Sequence, residues 1–255
     1  MGVPEIDILQ FKLFQGFSGL SHGVFSRSGG VSQGAFDSLN VGLNSGDDPS
    51  AVAENRRRML AEMGTRQAVF LHQVHGADIH VLKEGDISPT PLAADGVVTD
   101  GPGVCLVIQV ADCQAVLLFD PHKQVIANVH SGWRGSVHNI IGNCLEVMTR
   151  QFGCRPEHIL AGISPSLGPC CGEFVNYQEE IPQALWAYKE PDRPYFDFWK
   201  ISRDQLMAQG VKKDHIEIME ICTQCRSDLF YSYRKEHITG RFAASIALCQ
   251  PGKAG

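Results

Sequence analysis

Between Val104 and His130 the chain carries three β-rich apolar runs: "VCLVIQV" from Val104, "AVLLF" from Ala115 and "VIANVH" from Val125, the last two joined by the turn "DPHK". Runs rich in Val, Ile and Leu and bounded by turn residues predict strands, and together these predict a buried sheet. A helix is expected next, from about Ser136 to Phe152. Val137, Ile140, Ile141, Cys144, Leu145, Met148 and Phe152 form one apolar stripe, and Gly153 stops it. Polar residues at strand ends beside a helix start are where sites collect.

The flanking segments are less regular. "SHGVFSRSGGVSQGAFDSLNVGLNSGDD" holds six glycines between short apolar pairs and predicts loops and brief strands that allow backbone to approach a ligand. Asp48 and Pro49 read as N-cap and first-turn proline of a helix carrying Val52, Met59, Leu60 and Met63 inward, with Arg56, Arg57 and Arg58 over its exposed side. Beyond the central helix, "ILAGI", a helix near Ser202 to Gln209, "HIEIM" and "RFAASIALC" mix strands with helices without the regular alternation of a doubly wound fold. The expected architecture is α/β of the α+β type, with mixed sheets flanked by helices. No linker divides the chain, so residues 1–255 read as a single domain, with Pro191 to Pro194 as a loop.

Composition narrows the function classes. A net charge of -6, with no basic run longer than "NRRR", offers no footprint for nucleic acid. No run approaches the roughly 18 apolar residues that span a bilayer, so no membrane partner is expected. The first residues, "MGVPEIDILQFKLF", lack the basic leader of a signal peptide. Nine scattered cysteines then suggest reduced thiols in a cytoplasm, free to act as ligands or nucleophiles.

Three residues at strand ends draw attention: His75 in "LHQVHGAD", Cys113 in "VADCQA" and His130 in "NVHSGWRG". Two imidazoles and a thiolate suit zinc or copper, and three protein ligands leave a fourth position open, as catalytic sites do. From spacing alone a core thiol and two hydrogen-bonded loop histidines are the simpler reading, because no short-range ligand spacing enforces a metal. His72 and His75 cannot both reach one ion if "VFLHQVH" is extended, since residues three apart then face opposite sides. His75, followed by Gly76, is the better placed, and His72 reads as structural.

The motifs "RSGGVSQGAFDSLNVG", "ENRRRML", "HQVHG", "ADGVVTD", "VADC", "HSGWRG", "GISPSLG", "CT" at Cys222 and "TGR" at Thr239 to Arg241 occur in that order. In this order the chain resembles the laccase-domain family, also called the multicopper polyphenol oxidase-like or peptidoglycan editing factor family, from about Arg27 to Arg241. The resemblance implies zinc bound by His75, Cys113 and His130. It implies an enzyme that cleaves adenosine, inosine, guanosine or methylthioadenosine with phosphate, as a purine nucleoside phosphorylase, and that deaminates adenosine. It also implies mixed sheets sandwiched between helical layers. The chain departs from the family pattern at Ala115 (for a proline), at Ser131 (for an alanine), in "SPSLG", and at Lys235 and His237, and none of these removes a ligand.

Phosphorolysis requires an anion site beside the anomeric carbon and stabilisation of the departing base. Arg134 in "GWRG" and Arg27 in "SRSGG" are the expected phosphate ligands, with Asn40 of "SLNVG" counted among the substrate-binding residues. Cys113, His130 and Asp112 are the expected catalytic residues, Asp112 either shuttling a proton or orienting a ligand histidine. The partners are thus small purine nucleosides and phosphate.

Two other readings compete. A copper-dependent polyphenol oxidase would need several coppers on many histidines, yet the chain has ten histidines and no H-x-H pair. A Cys-His hydrolase or amidase, with Cys113 as nucleophile and His130 as base, would edit peptidoglycan precursors without a metal. The spacing "CTQC", Cys222 to Cys225, is that of half a zinc ribbon or of a redox pair, but no second C-x-x-C exists and only the adjacent Cys170 and Cys171 could complete it, so neither a second metal nor a disulfide is expected there.

Overall fold

The three central strands do not lie in one sheet, as their sequence suggests, but are shared between two. In the computed structural model, residues 5–83 and 92–250 are described. The first sheet has the order β1 (Ile8–Leu9), β2 (Leu20–Phe25), β11 (Phe242–Leu248), β6 (Val104–Val110) and β3 (Gln67–Phe70). The second has the order β10 (Ile216–Ile218), β9 (Leu160–Ile163), β7 (Gln114–Asp120), β8 (Val125–Ser131), β5 (Gly96–Thr99) and β4 (Ile79–Val81). Both are mixed: β3–β6, β9–β10 and β4–β5 run parallel, the other pairs antiparallel.

The sheets pack face to face, and strand periodicity shows why the runs are apolar throughout. Leu106, Ile108 and Val110 of β6 meet Ala115, Leu117 and Phe119 of β7 and Ala244 and Ile246 of β11 between the sheets. Cys105 and Val107 point the other way, onto Met59 of α1 (Pro49–Glu62). Val116 and Leu118 likewise turn outward to Ile141, Leu145 and Met148 of α3 (Ile140–Phe152) and Leu206 of α5 (Phe198–Ala208). Successive side chains alternate faces, and here both faces are covered. The result is one domain of two mixed sheets between helical layers, the architecture expected. Asn128 of β8 ties the layers, its Nδ2 donating to Leu106 O (3.0 Å) and Ala244 O (2.8 Å).

The predicted helix from Ser136 is broken. A short α2 (Trp133–Val137) ends at His138, Asn139 takes the left-handed conformation at φ 52°, and α3 begins again at Ile140 with the Asn139 side chain accepting from Gly142 N. Asn tolerates that conformation and caps well, so the apolar stripe runs on through a change of direction. Gly153, at φ 66°, closes α3 as expected. Asp48 caps α1 through Ser50 N (2.9 Å). Single helical turns form α4 (Tyr177–Glu180) and α6 (Tyr233–Glu236). Among the described residues no helix is long and apolar enough to cross a membrane.

Candidate metal centre and its cleft

Register places the polar residues at one open end of the sandwich. Ile126 and Asn128 of β8 face the other sheet, so His130, two residues on, faces the same way at the strand's end, 3% exposed. Cys113 sits in the turn from β6 to β7, two residues before the inward Ala115. His75 arrives by a bend: the backbone of His72 pairs with Leu92 and Ala94, and His75 itself adopts φ 59°. That bend is built by Asp95, whose carboxylate accepts from the backbone N–H groups of Val74 (3.2 Å), His75 (2.9 Å) and Gly76 (2.7 Å).

The ligand atoms of His75, Cys113 and His130 all lie within 4.8 Å of one another, and His72 is not among them. The two imidazoles meet edge to face at 4.8 Å between centroids. His130 Nδ1 donates to Asp95 Oδ1 at 2.8 Å, which leaves Nε2 free to face the thiol. Burial opposes ionisation of Cys113, but the charge of His130 and hydrogen bonds from His130 and His75 outweigh it, bringing the thiol down to about 6. Burial likewise opposes a charged His130, yet Cys113 and Asp95 together raise it to about 9. Asp95 is buried too, and its bonds to His130, Gly76 and His75 hold its carboxyl below the usual range. Without a metal, the site is therefore a thiolate–imidazolium pair backed by a carboxylate.

The donor set fits a cation. A thiolate and two imidazoles converge, one imidazole is held by a carboxylate in the tautomer that ligation needs, and a side chain at Gly132 would stand 3.0 Å from Cys113 Sγ and 3.3 Å from the His75 ring. The trio opens into a cleft of about 740 Å3. Its walls carry Arg56 and Arg241, the aromatic rings of Trp133, Phe174 and Phe198, and Gln114, whose buried Nε2 has no hydrogen-bond partner among the described residues.

The other expected site residues fall elsewhere or work differently. Arg27 does not reach this cleft: it pairs with Glu236 (3.0 Å), donates to Asp37 O and Ser227 O, and lies over the Tyr231 ring. Arg134 is exposed against Trp133 and is absent from the described lining. Asn40 is fully buried; its Oδ1 accepts from Gly42 N (3.0 Å) and Arg241 N (2.8 Å), so it positions backbone. Asp112 does line the cleft, but its carboxylate accepts from Thr223 Oγ1 (2.7 Å), Ser232 Oγ (2.7 Å) and Arg234 N (2.6 Å), and the orienting of a histidine falls to Asp95.

Arg56 corrects the reading of α1. Arg57 and Arg58 both pair with Glu54, whereas Arg56 turns into the cleft wall over the Phe70 ring at 3.8 Å and donates to Val41 O and Gln109 Oε1. Burial lowers its pKa to about 10. Burial lowers Arg241 as well, against the opposing fields of Cys113 and Asp112. Among the described residues neither guanidinium has a carboxylate partner, which leaves two partly desolvated positive charges facing one cleft.

Residues 21–249 match the family described as multi-copper polyphenol oxidoreductase laccase. The chain is 32% identical to a Geobacillus stearothermophilus protein named purine nucleoside phosphorylase YlmD, over 90% of each chain. It is 36% identical to the purine nucleoside phosphorylase PA4543 of Pseudomonas aeruginosa, covering 88% of this chain and 92% of that one. The crystal structure of YlmD from Geobacillus stearothermophilus superposes with a TM-score of 0.85 at 31% identity, covering 94% of both chains.

Proposed function

The chain belongs to the multi-copper polyphenol oxidoreductase laccase family, and from that premise we propose that it is a zinc-dependent purine nucleoside phosphorylase that also deaminates adenosine. Relatives bearing the phosphorylase name support the reaction class. One observation carries the reading: a convergent His75–Cys113–His130 group shares its cleft with two half-buried guanidiniums that have no carboxylate partner among the described residues. Residues 1–255 act in this reading as one domain, in the reducing cytoplasm that suits a thiolate ligand.

His75, Cys113 and His130 would hold the ion, zinc by donor preference and copper as the alternative, and it would supply a Lewis-acid position open toward the cleft. Arg56 and Arg241 bind phosphate, replacing its hydration with fixed positive charge. Their burial strengthens that attraction. Trp133, Phe174 and Phe198 offer apolar faces for a purine. A phosphate oxygen then bonds to the anomeric carbon, the bond to the base breaks, and the base leaves with the electron pair and takes up a proton. For deamination, Asp112 is the one carboxylate among the described lining residues and is assigned the proton transfer between water and departing amine.

A second reading is favoured by one feature: Cys113, His130 and Asp95 stand in the order nucleophile, base and orienting carboxylate, which would serve a metal-free thiol hydrolase. His75 separates the two, because it lies outside that triad. The phosphorylase reading expects His75→Ala to lose one equivalent of metal, measured by mass spectrometry, together with inosine turnover. Full turnover with unchanged metal content would assign the site to thiol chemistry.

A further inference from the structure

A second cluster lies behind the cleft rim. Cys170 and Cys171 follow β9, Cys222 and Cys225 follow β10, and the parallel pairing of those strands lays their exit loops side by side. Ser166 and Cys222 continue the pairing as a bridge, with Ser166 N donating to Ile221 O (3.1 Å) and Thr223 N to Ser166 O (3.0 Å). The Sγ atom of Cys225 is 3.7 Å from that of Cys170 and 3.6 Å from that of Cys171, and all four sulfurs lie within 4.8 Å of one another. None is in a disulfide.

Four thiolates around zinc at about 2.3 Å stand roughly 3.8 Å apart at the corners of a tetrahedron. The two separations from Cys225, 3.7 and 3.6 Å, match that edge, whereas a disulfide needs about 2.05 Å. Backbone supports the same assignment independently. Gly168 N donates to Cys222 Sγ at 3.3 Å, a bond that favours the ionised sulfur. Gly168 can approach so closely only without a side chain, since a Cβ there would lie 2.8 Å from the Trp199 ring and 3.0 Å from Cys222 Cβ.

We propose that Cys170, Cys171, Cys222 and Cys225 bind a second zinc ion as a closed, structural site. Four protein ligands leave no open position, so the ion does no chemistry of its own. Binding releases the thiol protons and leaves a net negative centre; Arg234, whose Nη1 donates to Cys171 O (3.4 Å) and Glu173 O (2.9 Å), lies beside it. The ion staples two loops that shape the cleft. One carries Ser166 and Leu167 of the wall, and the other carries Thr223, which holds Asp112.

Native mass spectrometry of the wild-type chain, purified with a non-thiol reductant and no added metal, tests this directly. About two zinc ions per chain are expected, falling to one in Cys225→Ser and, separately, to one in His75→Ala. Cobalt-substituted wild type should show the intense sulfur-to-metal absorption of a four-thiolate centre, retained in Cys113→Ala and lost in Cys225→Ser. A single zinc in wild type that Cys225→Ser keeps would overturn the proposal, and so would a mass two hydrogens short, which would mark a disulfide. The arms separate the two sites: loss of metal in Cys225→Ser but not in His75→Ala would sink the phosphorylase reading and leave the staple standing.

Discussion

Asp95 Oδ1 accepts from His130 Nδ1 at 2.8 Å while the same carboxylate gathers the backbone of residues 74 to 76, so one buried acid sets both the ring of His130 and the bend that carries His75. Outer carboxylates of this kind typically contribute roughly 10- to 100-fold to metal affinity. Asp95→Asn should weaken zinc binding by about that factor, read by competition with a chromogenic chelator. Affinity unchanged within about twofold would show that the histidines are held by something else.

The ionic pair at the centre gives a pH dependence with a definite sign. Cys113 is lowered to about 6 and His130 raised to about 9, so between those values the thiol is already ionised and the imidazole still holds a proton that a metal must displace. From about pH 7 to about pH 8.5, zinc affinity at this site should rise by about tenfold per unit as His130 loses its proton more readily. Below about 6 the fall should steepen as Cys113 takes up a proton as well. Titration of Cys225→Ser, which isolates the site, checks this, and a flat response above pH 7 would be incompatible with a protonated His130.

The phosphate-binding charge is assigned to Arg56 and Arg241. Charge-assisted hydrogen bonds contribute roughly 1.5 to 3 kcal/mol, so Arg241→Ala should raise the KM for phosphate by about 10- to 100-fold. Deamination of adenosine, which uses no phosphate, should change far less. Arg134→Ala should leave both activities within about twofold. If Arg134→Ala and not Arg241→Ala raises the phosphate KM, the anion sits at the start of α2 instead.

Asn40 links stability to the same site. Asn40→Ala strands the buried N–H groups of Gly42 and Arg241, at a cost of roughly 1 to 3 kcal/mol in unfolding free energy. It should also raise the phosphate KM through a displaced Arg241. Denaturant unfolding and kinetics on one preparation test both, and a loss of stability with the phosphate KM unmoved would confine Asn40 to folding.

Much of this arrangement is legible in the chain, and what is not has identifiable causes. Helix caps at Asp48 and Gly153 are local chemistry and read directly. The division of Val104–Val110 from the strands after it is not, because runs apolar on both faces carry no alternation to say which sheet they join. Asp95 sits inside a quoted motif, but its function depends on a turn 20 residues earlier in the chain. Arg56 looks exposed beside Arg57 and Arg58; only the pairing of those two with Glu54, three and four residues back, shows that the third points elsewhere. The four cysteines need the β9–β10 pairing before their separate spacings become one cluster.

The central claim is that this cleft breaks the bond between purine and ribose with phosphate. Inosine incubated with the purified protein should yield hypoxanthine and ribose 1-phosphate in equal amounts, followed by phosphorus NMR, with turnover rising and saturating as phosphate is added. Free ribose as the sole sugar product, formed at the same rate with and without phosphate, would contradict it.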